Sequence, residues 1–463
     1  MTMKKLAIYP LLGLLLLTGS CKKFLDVTPK GKFIPTTVAD YELFMNDILL
    51  ADAGFSNIEY MGDDLSFTDK DATSGIDTRR IKSYLWLNEV YKVLEDDPEW
   101  QRMYNNIYNC NLVLQNIETA TNGTPADVGR ISAEARIQRA YYYFHLAMLF
   151  GNDYQAATAA TDLAVPMPLV PDLEAKTKRS TVKEVYDQVF NDLNTALAAE
   201  GLPDFGRNYV HPGKVAAYAL LARIHLYMGN YEEAMKWADA ALAKKSTLVD
   251  YKTFSFTVPS KPYNGVTNRP TADANPENLF AKTNSAANGV AGFMISPELL
   301  QLMGEKDLRF VYTFTRIARA GTPSPNPYPD YFANYLNYSI GVPEMMLIKA
   351  ECLARSGKKD DALTLLNTLR KQRFLPADYA DLTAADADAA LVQVLTERRK
   401  ELVYHGLRWF DLKRLNRDPR FKKDLTRTYK GQVYTLPANA PWYLLEIAPK
   451  IISINPAIIQ NPR

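Results

Sequence analysis

The sequence predicts an all-α fold: a tetratricopeptide-like helical repeat scaffold interrupted by long irregular loop insertions. Two observations carry that prediction. Apolar residues recur at helical spacing over long windows, and one helix-turn-helix pattern returns farther along the chain. Composition agrees, since 463 residues with 47% hydrophobic and 23% charged have an ordinary globular balance without a disorder signature.

The N-terminus reads as an export signal. Lys4 and Lys5 form a basic start, and Leu6 to Leu17 is an apolar run too short to span a bilayer, which takes about 20 residues. Thr18-Gly19-Ser20-Cys21 follows and looks like the lipobox of bacterial lipoproteins. The expectation is a signal peptide over residues 1–20, cleavage before Cys21, acylation of Cys21, and a lipid-anchored tether over 21–37. The chain carries 54 Lys+Arg against 52 Asp+Glu, and loss of Lys4 and Lys5 makes the two equal. That balance offers no electrostatic reason to bind nucleic acid.

Residues 38–463 are expected to form a single module. Val38–Leu50 opens with an amphipathic pattern, and Met103, Ile107, Cys110, Leu114 and Ile117 mark a helix over 99–118. Residues 51–98, rich in Asp and Gly, read as ligand-facing loops. Over 211–243, Gly229 punctuates two helical runs, with Ala222, Ala234 and Ala241 where paired helices touch. The pattern returns over 343–373, where Gly357, Ala350 and Ala362 take the places of Gly229, Ala222 and Ala234, but Leu369 replaces Ala241. A split pair is expected over 134–198, around a Pro-containing insertion at 151–179, and a fourth over 389–415 around Gly406. Each pair has an apolar face that its neighbour must cover, so the units stack into one scaffold. Residues 251–338 and 420–463 are irregular, and loops on a rigid frame are where ligand contacts concentrate.

The marks of catalysis are missing. His145, His211, His225 and His405 have no His-Glu-x-x-His spacing, and neither a nucleophile elbow nor a phosphate-cradling loop occurs. Asp63-Asp64 and Asp96-Asp97 are adjacent residues, whereas a glycosidase needs carboxylates facing one another across about 5–10 Å. The chain is therefore expected to be no enzyme, with no metal and no cofactor. Cys110 and Cys352 read as buried hydrophobes.

Several segments together resemble the SusD/RagB family of nutrient-binding outer-membrane lipoproteins of Bacteroidetes. The most specific is Glu397-Arg398-Arg399-Lys400-Glu401-Leu402 with Gly406-Leu407-Arg408-Trp409-Phe410-Asp411-Leu412-Lys413-Arg414. Phe24-Leu25-Asp26-Val27-Thr28-Pro29 after Cys21, Glu134-Ala135-Arg136, Asn275-Pro276-Glu277-Asn278-Leu279-Phe280 and Asp307-Leu308-Arg309 agree in order. The resemblance implies a cell-surface protein, lipid-anchored in the outer membrane, that binds a glycan or a peptide. Its implied partner is a SusC-like TonB-dependent transporter, which it either supplies with nutrient or gates. The signature itself reads as structural, because its charges are spaced to pair with acids on neighbouring helices.

A glycan site needs flat aromatic platforms edged by polar groups. Most aromatics, including Tyr141 to Phe144, Tyr218 and Tyr227, read as core. The candidates outside the scaffold are Tyr84, Trp86, Tyr263, Tyr328 and Tyr331, with Asp77, Arg79, Arg80, Asn264 and Arg269 as polar partners.

Overall fold

The computed structural model describes residues 35–67, 78–284, 293–317, 323–329 and 336–463. Residues Thr37–Arg463 form one compact unit. Helices dominate it, as the sequence predicts, and the described strands form seven antiparallel pairs of two.

Helix α1 (Val38–Met45) starts at a capping box in which Thr37 and Asp40 satisfy each other's backbone N–H groups. A short α2 (Ile58–Met61) and α3 (Thr78–Tyr84) follow. Helix α4 (Pro98–Asn116) has Asp97 as N-cap and Pro at its first position. Helix α5 (Pro125–Phe150) opens with Thr124 and Asp127 boxed together and is buried almost continuously from Ile131 to Phe150. Such a helix must be covered on all sides. It packs against α4 and α6 (Val182–Ala198), whose buried Val185, Val189, Leu193 and Ala196 recur at helical spacing.

Two hairpins complete the scaffold, α7 (Lys214–Met228) with α8 (Tyr231–Lys244) and, past α9 (Pro297–Met303) and α10 (Leu308–Thr313), α11 (Val342–Arg355) with α12 (Lys359–Arg370). Helix α8 packs against α11, so consecutive hairpins cover one another. Gly229 and Gly357 follow the first helix of each pair with φ of +79° and +82°, a backbone conformation that any side chain would strain. Ala222, Ala234 and Ala241 are fully buried in the first hairpin, and Leu369 is equally buried in the second. Helix α13 (Ala387–Glu401) packs on α11 and α12, followed by α14 (Arg408–Leu415) and the terminal α15 (Pro449–Ile454). Cys110 and Cys352 are buried free thiols.

Two irregular regions have more order than their composition suggests. β1 (Leu65–Ser66) pairs with β2 (Met294–Ile295), bringing residues of the 51–98 and 251–338 stretches together. Residues 420–463 contain a regular hairpin of β4 (Leu425–Tyr429) and β5 (Gln432–Leu436). No helix among the described residues is long and apolar enough to cross a membrane.

Candidate ligand-binding groove

A groove of about 260 Å³ opens between the turn before α2, the first residues of α3 and the start of α4. Phe55, Tyr60, Arg79, Arg80, Glu99 and Arg102 supply its chemistry. Capping sets its floor: Asp97 accepts from the N–H groups of Glu99 and Trp100, aiming the first turn of α4 at the chain before α2. Glu99 Oε1 then accepts from Ser56 N at 2.6 Å, Ser56 Oγ at 2.8 Å and Asn57 N at 2.9 Å. Burial, with Asp97 nearby, pushes the Glu99 carboxyl up to about 7.

The walls are guanidinium and ring. Arg80 lies 5.7 Å from the centre of the Tyr60 ring and has no carboxylate partner among the described residues. Arg79 lies over the Tyr91 ring and 3.6 Å from Glu95, and Arg102 is 3.3 Å from Asp52. The groove therefore offers planar donors, while the rings of Phe55 and Tyr60 are buried, each 2% exposed.

Arg79 and Arg80 are the described sequence candidates that line this groove. Tyr84 and Trp86 are corrected from exposed platforms to core residues, 6% and 7% exposed. Their rings take Arg427 between them, its guanidinium carbon 3.6 Å from the centre of Tyr84 and 4.2 Å from that of Trp86. Arg427 also donates to the carbonyls of Tyr60, Met61, Gly62 and Tyr84, so this stack closes the space a sugar ring would need. Trp86 spends its indole N–H on the Met61 carbonyl at 3.1 Å.

Arg269 lines a different cavity, of about 130 Å³, and donates to the Tyr312 carbonyl at 2.7 Å. Asn264 is exposed on a single 3-10 turn, Pro262–Asn264, which also carries Tyr263. Tyr328 belongs to β3 (Pro323–Pro329), where its backbone pairs with Thr315. Cys21, Asp77 and Tyr331 lie outside the described residues. Sequence reasoning missed Tyr60, Glu99 and Arg102. The Asp97-Pro98-Glu99 start of α4 was the available signal, because a helix start fixes where its first side chains point.

One further cluster has metal-like composition. Glu42, Glu134 and His211 place ligand atoms within 4.8 Å of one another. Arg130 and Arg207 both pair with Glu42, and His211 Nδ1 sits 2.6 Å from Glu134, so the group is internally neutralised.

Comparison with known proteins agrees with this architecture. Residues 23–226 match a SusD-like family described as starch-binding and associating with the outer membrane, and residues 342–463 match the SusD family proper. The chain belongs to the SusD/RagB family. Among its relatives, SusD-like protein P38 of Formosa agariphila is 25% identical over 392 residues, 69% of this chain and 72% of that one. SusD-like protein P2 of the same organism is 23% identical over 378 residues, covering 68% and 71%. A SusD superfamily structure from Bacteroides thetaiotaomicron superposes with a TM-score of 0.73 at 23% identity, covering 92% of this chain and all 100% of that one. A sugar-binding protein from Bacteroides vulgatus gives 0.70 at 21%, covering 93% and 99%, and surface glycan-binding protein A from Bacteroides uniformis gives 0.67 at 20%, covering 92% and 98%.

The SusD/RagB signature here is an internal ion-pair lattice. Arg398 donates to Asp411 at 2.8 Å, Lys400 reaches Asp307 at 2.8 Å, and Glu401 receives Arg373 at 2.7 Å and Arg309 at 2.6 Å. Arg414 closes on Glu351 at 2.6 Å. Trp409 stacks on Tyr443 with ring centres 4.5 Å apart. All of these side chains are buried, so the signature holds parts of the scaffold to one another.

Proposed function

We propose that this SusD/RagB chain is a non-enzymatic, lipid-anchored outer-membrane protein that binds a glycan in the groove between α2, α3 and α4. It holds the ligand for a SusC-like TonB-dependent transporter. The observation that carries the reading is the set of half-buried guanidinium groups of Arg79, Arg80 and Arg102 around a groove that Ser56 and Glu99 also line. A pyranose presents a ring of hydroxyls, and planar donors suit them. Solved relatives named for sugar or glycan binding support the ligand class. Asp77, Tyr263, Asn264, Tyr328 and Tyr331 remain proposed ligand contacts on the sequence pattern alone.

Absence of turnover is part of the proposal. The groove carboxylate Glu99 has one oxygen saturated by three donors, and Asp97 is committed to a helix cap, so neither is poised as acid and base across a bond. Affinity electrophoresis against a panel of polysaccharides, with chromatography of the incubated ligands, tests this. Retarded migration in at least one glycan without released product is the expected result. Binding of peptides but no glycan, or release of product, contradicts it.

A further inference from the structure

A second cavity, of about 370 Å³, lies where the connection between α6 and α7 meets the stretch around Asn275–Ala281, and it shares no lining residue with the groove. That volume falls within the range of ligand sites, roughly 300–1,000 Å³. Phe205 and Tyr209 stand at its edge with 45% and 38% of their surface exposed. They are the aromatic side chains left most open among the described residues.

The loop that carries them is fixed. Leu202 and Val210 anchor it in the core, and the N–H groups of Lys214 and Val215 donate to the carbonyls of Pro203 and Asp204. Gly206 lies so close to His211 that an added Cβ would fall 1.6 Å from the His211 carbonyl oxygen. Rings on such a loop are held in place before any ligand arrives, which lowers the ordering cost of binding.

The opposite wall is polar. Asn278 donates its amide N–H to the Ala272 carbonyl at 2.7 Å. Asn208 and Asn275 add amides at the rim, and Lys245 lies 6.0 Å from the Phe205 ring centre with its ammonium on the Asn278 carbonyl at 3.1 Å.

We infer that this cleft is a second glycan-binding site, taking neutral pyranose units against Phe205 and Tyr209 with hydroxyls meeting the rim amides of Asn208 and Asn275. The inference rests on the glycan reading above, because the same rings and amides without that reading specify only a flat polar ligand. One cation already committed to a carbonyl, set beside Asp273, gives the cleft no net preference for an anion.

The test is equilibrium dialysis of the intact chain against neutral hexasaccharides of α-glucan, β-glucan, xylan and mannan type, repeated with F205A/Y209A and with R79Q/R80Q. Both rings are exposed, so F205A/Y209A is expected to melt with the wild type, which thermal unfolding checks. Two ligands per chain at saturation are expected, falling to one in F205A/Y209A. Undiminished binding by F205A/Y209A, with loss in R79Q/R80Q, overturns the second site while leaving the groove intact. Loss in F205A/Y209A with R79Q/R80Q unaffected supports the cleft and moves the binding away from the groove. A wild type that binds none of the panel contradicts both readings.

Discussion

Arg399 and Asp64 are joined by a 2.7 Å hydrogen bond between Nε and Oδ1, although 335 residues separate them in sequence. Arg399 also reaches Asp63 and Glu298, and Arg408 donates to Asp63 at 2.6 Å. The pair ties the signature helix α13 to the segment that follows α2, next to the groove. Arg399→Ala leaves Asp64, 2% exposed, without its main counter-charge. Removing one partner of a buried pair costs roughly 3–5 kcal/mol. Urea unfolding of R399A should show a loss of that size, and a change below about 1 kcal/mol counts against the lattice.

Glu99 gives stability a pH dependence. Burial raises its carboxyl from 4.5 to about 7, so between those values the folded chain holds more protons than the unfolded one. Stability therefore falls as pH rises from about 4.5 to 7, by on the order of 3 kcal/mol from this group. Glu59, also raised to about 7 by burial, adds in the same direction. Melting curves of E99Q across that window should be flatter than wild type, and parallel curves contradict the assignment.

Lys282 acts with the opposite sign at higher pH. Its ammonium is buried among the Leu50 carbonyl at 2.6 Å, the Gln138 amide oxygen at 2.7 Å and the Tyr142 hydroxyl at 3.3 Å, with the rings of Tyr141, Tyr142 and Phe280 around it. Asp52, Cys110 and His145 are the other titratable groups that feel it. Burial lowers it from 10.5 to about 7, so the unfolded chain binds more protons over that range and stability rises with pH. K282M should lose that rise in thermal melts between pH 7 and 10, and retention of the slope assigns it to another group.

Trp409 fills the interior against Tyr443 and donates its indole N–H to the Tyr443 carbonyl at 3.2 Å. Trp409→Ala combines lost burial with an unmet carbonyl, and buried large-to-small changes of this kind cost about 3–5 kcal/mol. Denaturant midpoints measure the cost.

The two thiols should be silent in the native state. Burial pushes both Cys110 and Cys352 up to about 12, leaving almost no thiolate at neutral pH. Peptide mapping after alkylation should find both unlabelled until denaturant is added, and rapid native labelling of either contradicts its burial.

The scaffold was readable because its determinants are local and repeated. Gly229 and Gly357 sit at equivalent turns, and small residues mark the places where helices approach. The structural role of the signature was also visible, since Arg398, Lys400 and Glu401 occupy helix positions that suit pairing. Exposure of single aromatic rings was not. Tyr84 and Trp86 are buried by Arg427, a residue more than 300 positions away that no local pattern connects to them. Phe205 and Tyr209 are exposed on a connector that reads only as a break between helices, although its Gly-Arg-Asn spacing between two rings is a loop-tip pattern. Arg79 and Arg80 were legible as polar partners, but the ring beside Arg80 belongs to Tyr60 of α2.

Isothermal titration of the best-binding oligosaccharide into wild type and R79Q/R80Q decides whether the groove holds the ligand. Both arginines are partly exposed, so the variant should fold, and affinity at the groove is expected to fall by on the order of tenfold or more. Equal affinity in the two proteins, with binding intact, contradicts the groove as the place where this chain holds its ligand.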